Sequence, residues 1–276
     1  MKRIFLPFLI FGLITMISCK GKIDKRTNNF PKEKVYVKQL PKKENFWIFI
    51  MAGQSNMAGR AIVEPKDTIP ALRVYTIDKE NNWIIAKEPL HFYEPSMTGL
   101  DCGLSFGKEL SFRLNDSIFI GLIPCAVGGS SVEQWLGDSL FRGVKLFTNF
   151  TERTEFASKY GTIKGILWHQ GENNANKEQF KNYKENLECL FKKFRNIAQV
   201  DSLPIFSGEL GSFLSKQEFG SYPDSINNVL NLIAIKDKNV HIIQTNDLKH
   251  KGDFLHFDSE SQRLLGKRIA DKIEIK

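Results

Sequence analysis

The sequence predicts an α/β fold built on a central parallel sheet with helices on both faces, and two patterns carry that expectation. Apolar, β-prone runs recur at 46–51, 118–123, 163–168, 204–206 and 240–243. Amphipathic helical patterns lie between them. The clearest are 180–194, where Phe180, Tyr183, Leu187, Leu190 and Phe194 recur at spacings of three and four, and 262–273, where Leu265, Ile269 and Ile273 share a face. Strands alternating with helices pair in parallel through crossovers, and the crossover helices cover the sheet. Segments 73–77 and 83–86, separated by the polar turn Asp78-Lys79-Glu80-Asn81-Asn82, predict a hairpin inserted after the first strand.

The chain of 276 residues is accounted for by one large domain, 44–276, and an N-terminal extension. Lys2 and Arg3 open a leader whose apolar run, 4–17, ends at Ser18. The run is shorter than the ~20 residues of a membrane span and has the order of a secretory signal, so 1–18 is expected to be a signal peptide. Ser18-Cys19 resembles a bacterial lipoprotein cleavage site. Cys19 is then the lipid attachment point, with ordinary cleavage nearby or an uncleaved anchor as alternatives. Residues 19–43 hold nine Lys or Arg against Asp24 and Glu33 and read as a solvated basic tether. The expected location is the bacterial cell envelope, in the periplasm or at the cell surface, with a lipid anchor in the membrane.

Eleven of the 39 basic residues and two of the 31 acidic ones precede Glu44, which leaves 28 basic against 29 acidic residues in 44–276. The net charge of +8 therefore resides in leader and tether. It is no argument for a nucleic-acid partner, and it suits a tether lying on anionic lipid. Cys102, Cys125 and Cys189 form no C-x-x-C pair, so neither a zinc knuckle nor a thioredoxin-like site is expected. Spacing alone leaves open whether Cys102 and Cys125 pair.

Ligand sites of open α/β sheets form beyond the carboxyl ends of the strands, and the chemically unusual residues gather there. The first run leads into Gly53-Gln54-Ser55-Asn56-Met57, the second into Gly128-Gly129-Ser130, the third into His169-Gln170-Gly171-Glu172, and the last into Asp253-Phe254-Leu255-His256. A serine nucleophile needs a base within hydrogen-bond reach, a group that orients the base, and donors for a developing oxyanion. Ser55 fits the first role, although a serine after a strand is also a common helix cap. His256 fits the base, with Asp253 three residues earlier able to orient it. The N–H groups of Ser55 and Gly129 and the side-chain amide of Gln170 are candidate oxyanion donors. Glu172 is either a supporting acid or a replacement for Asp253 as the partner of His256. Gln54, Asn56 and Trp135 are candidate substrate contacts, and Trp168 and Phe257 could also stack on a sugar. A metal reading of His169 with Glu172 lacks further ligands, so no metal and no cofactor are expected.

These blocks together resemble the SGNH-type hydrolases, specifically the sialate O-acetylesterase-like carbohydrate esterases. The resemblance rests on Ile50-Met51-Ala52-Gly53-Gln54-Ser55-Asn56-Met57-Ala58-Gly59, on Pro124-Cys125-Ala126-Val127-Gly128-Gly129-Ser130-Ser131 with Trp135, on Gly165-Ile166-Leu167-Trp168-His169-Gln170-Gly171-Glu172, and on Asp253-Phe254-Leu255-His256-Phe257 followed by Gly266-Lys267-Arg268. It implies a three-layer α/β/α flavodoxin-like fold and a metal-free esterase acting on acetylated carbohydrate. In that reading Ser55 is the nucleophile, Asp253 and His256 act as base, and Ser55, Gly129 and Gln170 form the oxyanion hole. Asn173-Asn174 stand where members often carry a small residue and Asp, which leaves the sugar open. Alternatives are an esterase for another acyl group and a glycan-binding lipoprotein without catalysis.

Overall fold

A computed structural model describes residues 25–216 and 219–275. The leader, Cys19 with its expected lipid, and the start of the tether lie outside the described residues. The chain runs β1 (Phe46–Gly53), α1 (Ser55–Ala58), β2 (Val74–Ile77), β3 (Trp83–Ile85), α2 (Gly103–Arg113), β4 (Phe119–Pro124), α3 (Val132–Gly137), β5 (Leu140–Phe141), β6 (Val144–Lys145), α4 (Leu146–Ser158), β7 (Thr162–His169), α5 (Lys177–Phe180), α6 (Tyr183–Ala198), β8 (Ile205–Gly208), α7 (Tyr222–Lys236), β9 (Val240–Ile243) and α8 (Ser259–Asp271).

Seven strands form one sheet in the order β3-β2-β4-β1-β7-β8-β9. Every neighbouring pair is parallel except the β2–β3 hairpin. The most central strand, β1, is apolar on both faces and almost wholly buried, as helices on both sides require. Helices α2 and α8 pack together on one face, while α3, α4, α6 and α7 form a connected layer on the other. The three-layer α/β/α fold is thus the one expected. β5 and β6 form a separate two-stranded ribbon.

Three elements differ from the sequence reading. The pattern at 180–194 is not one helix: α5 ends at Phe180, non-helical Asn182 intervenes, and α6 starts at Tyr183. The last helix begins at Ser259, where the Asp258 carboxylate accepts from the Ser261 N–H at 2.8 Å, and it ends at Asp271, before Ile273. Residues 26–43 are not a free tether. Arg26 donates to the Ser96 and Thr98 carbonyls, Tyr36 bridges Ile84 on β3, and Phe30 packs on Ala61, Val63 and Leu100. The charge of this segment concealed its apolar residues, which cover the edge of the sheet. Cys102, Cys125 and Cys189 are all free thiols.

Glu88 is buried beside this edge and accepts from the Asp101 N–H at 3.4 Å. Burial first, then the charges of Asp101 and Asp67, push its carboxyl well above the ordinary 4.5. A carboxyl whose pKa is raised by folding contributes fully to stability below its unfolded value, and that contribution is lost as pH rises through the folded value. Glu88→Gln keeps the neutral shape. Urea unfolding midpoints of variant and wild type should therefore agree near about pH 5, with the wild type falling below the variant at alkaline pH. Midpoints that stay parallel would mean that Glu88 ionises without destabilising the fold.

Candidate active site

The site begins where β1 stops. Gly53 has φ 135°, and a Cβ there would stand 2.1 Å from the His169 carbonyl oxygen, so only glycine lets β1 and β7 finish side by side. The Gln54 N–H donates to that same carbonyl at 2.9 Å, and the chain turns at once into α1 with Ser55 as its first residue. The Ser55 N–H thereby belongs to the first turn, whose donors have no acceptor within the helix. The loop after β4 is fastened to this turn. Ser130 Oγ donates to the Gly53 carbonyl at 3.1 Å and accepts from Trp135 Nε1 at 3.0 Å. Gly128 spends its N–H on Glu94 Oε2 at 2.6 Å. Among the described residues no hydrogen bond engages the N–H of Gly129, whose φ of 75° favours glycine.

From the far side of the sheet, the chain after β9 folds back on itself. Lys251 N–H donates to the His256 carbonyl and Asp258 N–H to that of Lys249, both at 2.9 Å, which closes 251–256 into a loop. Inside it, Asp253 Oδ1 accepts from the Leu255 and His256 N–H groups at 3.0 and 2.9 Å, and Oδ2 lies 2.7 Å from His256 Nδ1. The other ring nitrogen, Nε2, is 3.0 Å from Ser55 Oγ. Burial acts to raise the Asp253 pKa, but the hydrogen bonds from the His256 ring and the two N–H groups outweigh it and hold the carboxyl well below its usual range. Asp253 is therefore ionised and its partner nitrogen is the donor. His250 shapes the same loop: its Nδ1 accepts from the Gly252 and Phe254 N–H groups at 3.0 and 3.1 Å.

Asn56 joins the two halves. Its Oδ1 accepts from the Phe257 N–H at 3.0 Å, while Nδ2 donates to the Leu255 carbonyl at 3.2 Å and to Glu172 Oε1 at 2.5 Å. Both neighbours of His256 are thus latched to the residue following Ser55, and the buried Glu172 carboxylate braces the latch. Burial works to raise the Glu172 pKa, but His169, its own backbone and Asn56 together keep it below the ordinary value. Glu172 does not take the place of Asp253, because Asp253 occupies His256 Nδ1. Its nearest ring is His169, with Nε2 3.4 Å from Oε1, and no cluster of three or more His, Cys, Asp or Glu suited to a metal ion occurs among the described residues.

The expected substrate contacts need correction, because all are buried. Asn56 is committed to the latch. Gln54 Oε1 accepts from the Asn173 N–H at 3.2 Å and from Gln170 Nε2 at 3.3 Å, so it organises the turn. Trp135 and Trp168 pack edge to face with ring centroids 5.7 Å apart inside the core, and Phe257 is fully covered. Gln170 also departs from expectation: it is fully buried, and its Nε2 faces Gln54 Oε1, the Ser130 carbonyl and, at 2.6 Å, Asn174 Oδ1. Its amide hydrogens are taken up by these three acceptors, which ties Gln170 to Asn174 and to the segments carrying Ser55 and Gly129. The open donors at the serine are backbone N–H groups.

Four residues of this region, Arg60, Glu94, Arg142 and Lys251, escaped the sequence reading. Glu94 receives Gly128, Arg60 and Arg142, groups from separate parts of the chain, and no motif announces them. Lys251 was also missed; its Nζ lies 3.5 Å from Asp253 Oδ2 and donates to the Arg60 carbonyl at 3.1 Å.

Residues 45–274 match the protein family described as "Carbohydrate esterase, sialic acid-specific acetylesterase". A probable carbohydrate esterase of Arabidopsis thaliana is 32% identical over 242 residues, a match covering 81% of this chain and 88% of the relative. The crystal structure of the Arabidopsis protein superposes with a TM-score of 0.72 at 31% identity, over 83% of this chain and 97% of that one. The crystal structure of NanS is similar in fold, with a TM-score of 0.66 at 15% identity, covering 84% of this chain and 97% of that one.

Proposed function

Because this chain belongs to the carbohydrate esterase, sialic acid-specific acetylesterase family and is a carboxylic ester hydrolase, we propose that it removes O-acetyl groups from carbohydrate with Ser55 as nucleophile, His256 as base and Asp253 as the acid that orients it. The observation that carries this reading is the continuous line from Asp253 Oδ2 through the His256 ring to Ser55 Oγ, with contacts of 2.7 and 3.0 Å. As Ser55 Oγ attacks the acetyl carbonyl carbon, its proton passes to His256 Nε2, and Asp253 stabilises the imidazolium through Nδ1–H. The negative charge on the carbonyl oxygen is met by the N–H groups of Ser55 and Gly129. Collapse breaks the ester C–O bond, His256 gives the proton to the departing sugar oxygen, and the acetyl group stays on Ser55 Oγ. Water, deprotonated by the same His256, then releases acetate and restores the serine. Export and lipid attachment at Cys19 belong to the proposal, supported by the leader-like start of the chain.

Purified protein offered acetylated saccharides and butyryl and longer aryl esters should release acetate from saccharides with the higher kcat/KM. A preference for longer acyl chains would favour an esterase of another acyl class.

A further inference from the structure

The N–H of Gly129 can meet an oxyanion only while the Gly128–Gly129 peptide presents it to the cleft, and two consecutive glycines have no side chain to keep that peptide in place. The loop is held by hydrogen bonds instead. The Val127 N–H donates to the Gly53 carbonyl at 3.3 Å, and the Ser130 carbonyl accepts from Gln170 Nε2 at 3.2 Å, which fixes the two ends. Between them, the Gly128 N–H donates at 2.6 Å to Glu94 Oε2, a carboxylate from a distant part of the chain. A Cβ on Gly128 would stand 1.9 Å from Arg60 Nη2 and 2.8 Å from Glu94 Oε2, so the Arg60–Glu94 pair lies directly against the Gly128 backbone.

Glu94 is itself firmly placed. Its carbonyl accepts from the Met97 and Thr98 N–H groups at 2.9 and 2.8 Å, which closes the turn 94–98. Buried Arg60 meets Oε2 with Nη2 at 2.5 Å and donates through Nη1 to the Gly59 carbonyl at 2.8 Å, while Oε1 pairs with Arg142 on the β5–β6 turn. Burial acts to raise the Glu94 pKa, but Arg60, the Gly128 N–H and Arg142 outweigh it and hold the carboxyl below its ordinary value. An ionised acceptor makes the stronger bond to Gly128. A lone anion here would oppose the one forming at Gly129, but two guanidiniums against one carboxylate leave the cluster positive. Were the carboxylate removed, the Gly128 N–H would lose its acceptor. The 128–129 peptide could then turn, because neither residue has a Cβ to block it, and the Gly129 N–H would turn with it.

We propose that Glu94 is a positioning residue for the oxyanion hole: by accepting from the Gly128 N–H it keeps the Gly129 N–H facing the carbonyl of an ester under attack by Ser55. This rests on the serine-esterase reading above. The probe is an alkyl trifluoromethyl ketone. Ser55 Oγ adds to its carbonyl carbon, the serine proton passes to His256, and the former carbonyl oxygen is left as an anion where the oxyanion of hydrolysis would form. Arg60→Met and Glu94→Met made together remove the acceptor without stranding a buried charge or changing the net charge. In the full-length protein this pair should lower kcat on an acetyl ester roughly 10- to 100-fold with KM within about threefold, and should raise the inhibition constant of the ketone by the same factor, since both report the oxyanion. Glu94→Gln, which keeps an oxygen to accept from Gly128, should recover most of both. Glu94→Met alone should shift both in the same direction, so the result does not depend on one variant folding. The inhibition constant is read only on molecules that bind the ketone, and partial unfolding cannot imitate its rise. An unchanged inhibition constant in folded Glu94→Met would overturn the proposal, as would a loss in Glu94→Gln equal to that in Glu94→Met. A wild type that hydrolyses acetyl esters but is untouched by the ketone would instead overturn the assignment of a serine nucleophile.

Discussion

Ser55→Ala should lower kcat for acetate release by roughly 10⁴- to 10⁶-fold while leaving the thermal unfolding transition almost in place. The size follows from losing covalent catalysis altogether: without Oγ no acetyl-enzyme forms, and only binding and the oxyanion donors remain to assist water. The fold should tolerate the change, since the side chain is small and its hydroxyl is spent on His256. Ser130, the other serine close to the turn, is no substitute, because it is fully buried and its hydroxyl is tied to Gly53 and Trp135. Acetate release and a melting curve on the same preparation check the prediction. A variant retaining activity within tenfold of wild type would remove Ser55 from the nucleophile's role.

What could be read from the sequence divides along physical lines. A central strand such as β1 is buried on both faces, so it stands out as an unbroken apolar run. Ser55 and the Asp253–His256 pair were visible as polar residues at strand ends, and the three-residue spacing is closed by local backbone bonds. Side-chain direction was not visible. Gln54 and Asn56 flank Ser55 in sequence, yet both turn inward, one to support the turn and the other to latch the His256 loop. Trp135 resembled a sugar platform and lies in the core, since a lone aromatic after a loop has no periodicity to say which way it faces. The Glu94 cluster was unreadable for a different reason: Arg60, Glu94, Gly128 and Arg142 meet only through the tertiary fold. Segment 26–43 misled because its six basic residues against a single Glu33 hide Phe30 and the alternation around Tyr36.

Asp253→Asn should cost roughly 10³- to 10⁴-fold in kcat/KM, and Glu172→Gln about tenfold or less, although Glu172 is the more deeply buried acid. The asymmetry comes from what each carboxylate touches. Asp253 meets His256 Nδ1 and holds the proton there, which leaves Nε2 free to accept from Ser55. Asparagine can present its NH₂ to Nδ1 instead, which favours the tautomer protonated at Nε2, and that ring cannot take the serine proton. It also removes the negative charge that steadies the imidazolium. Since Asp253 is held well below the usual carboxylate range, it is ionised at every practical assay pH, and the deficit should persist from about pH 5 to 9. Glutamine at 172, by contrast, keeps an oxygen to accept from Asn56 Nδ2, so the latch on Leu255 and Phe257 survives and only the charge facing His169 is lost. Its effect should fall on thermal stability as much as on rate. The opposite order of the two variants would transfer the orienting role to Glu172, and would require the 251–256 loop to move so that His256 leaves Asp253 before the serine proton is taken.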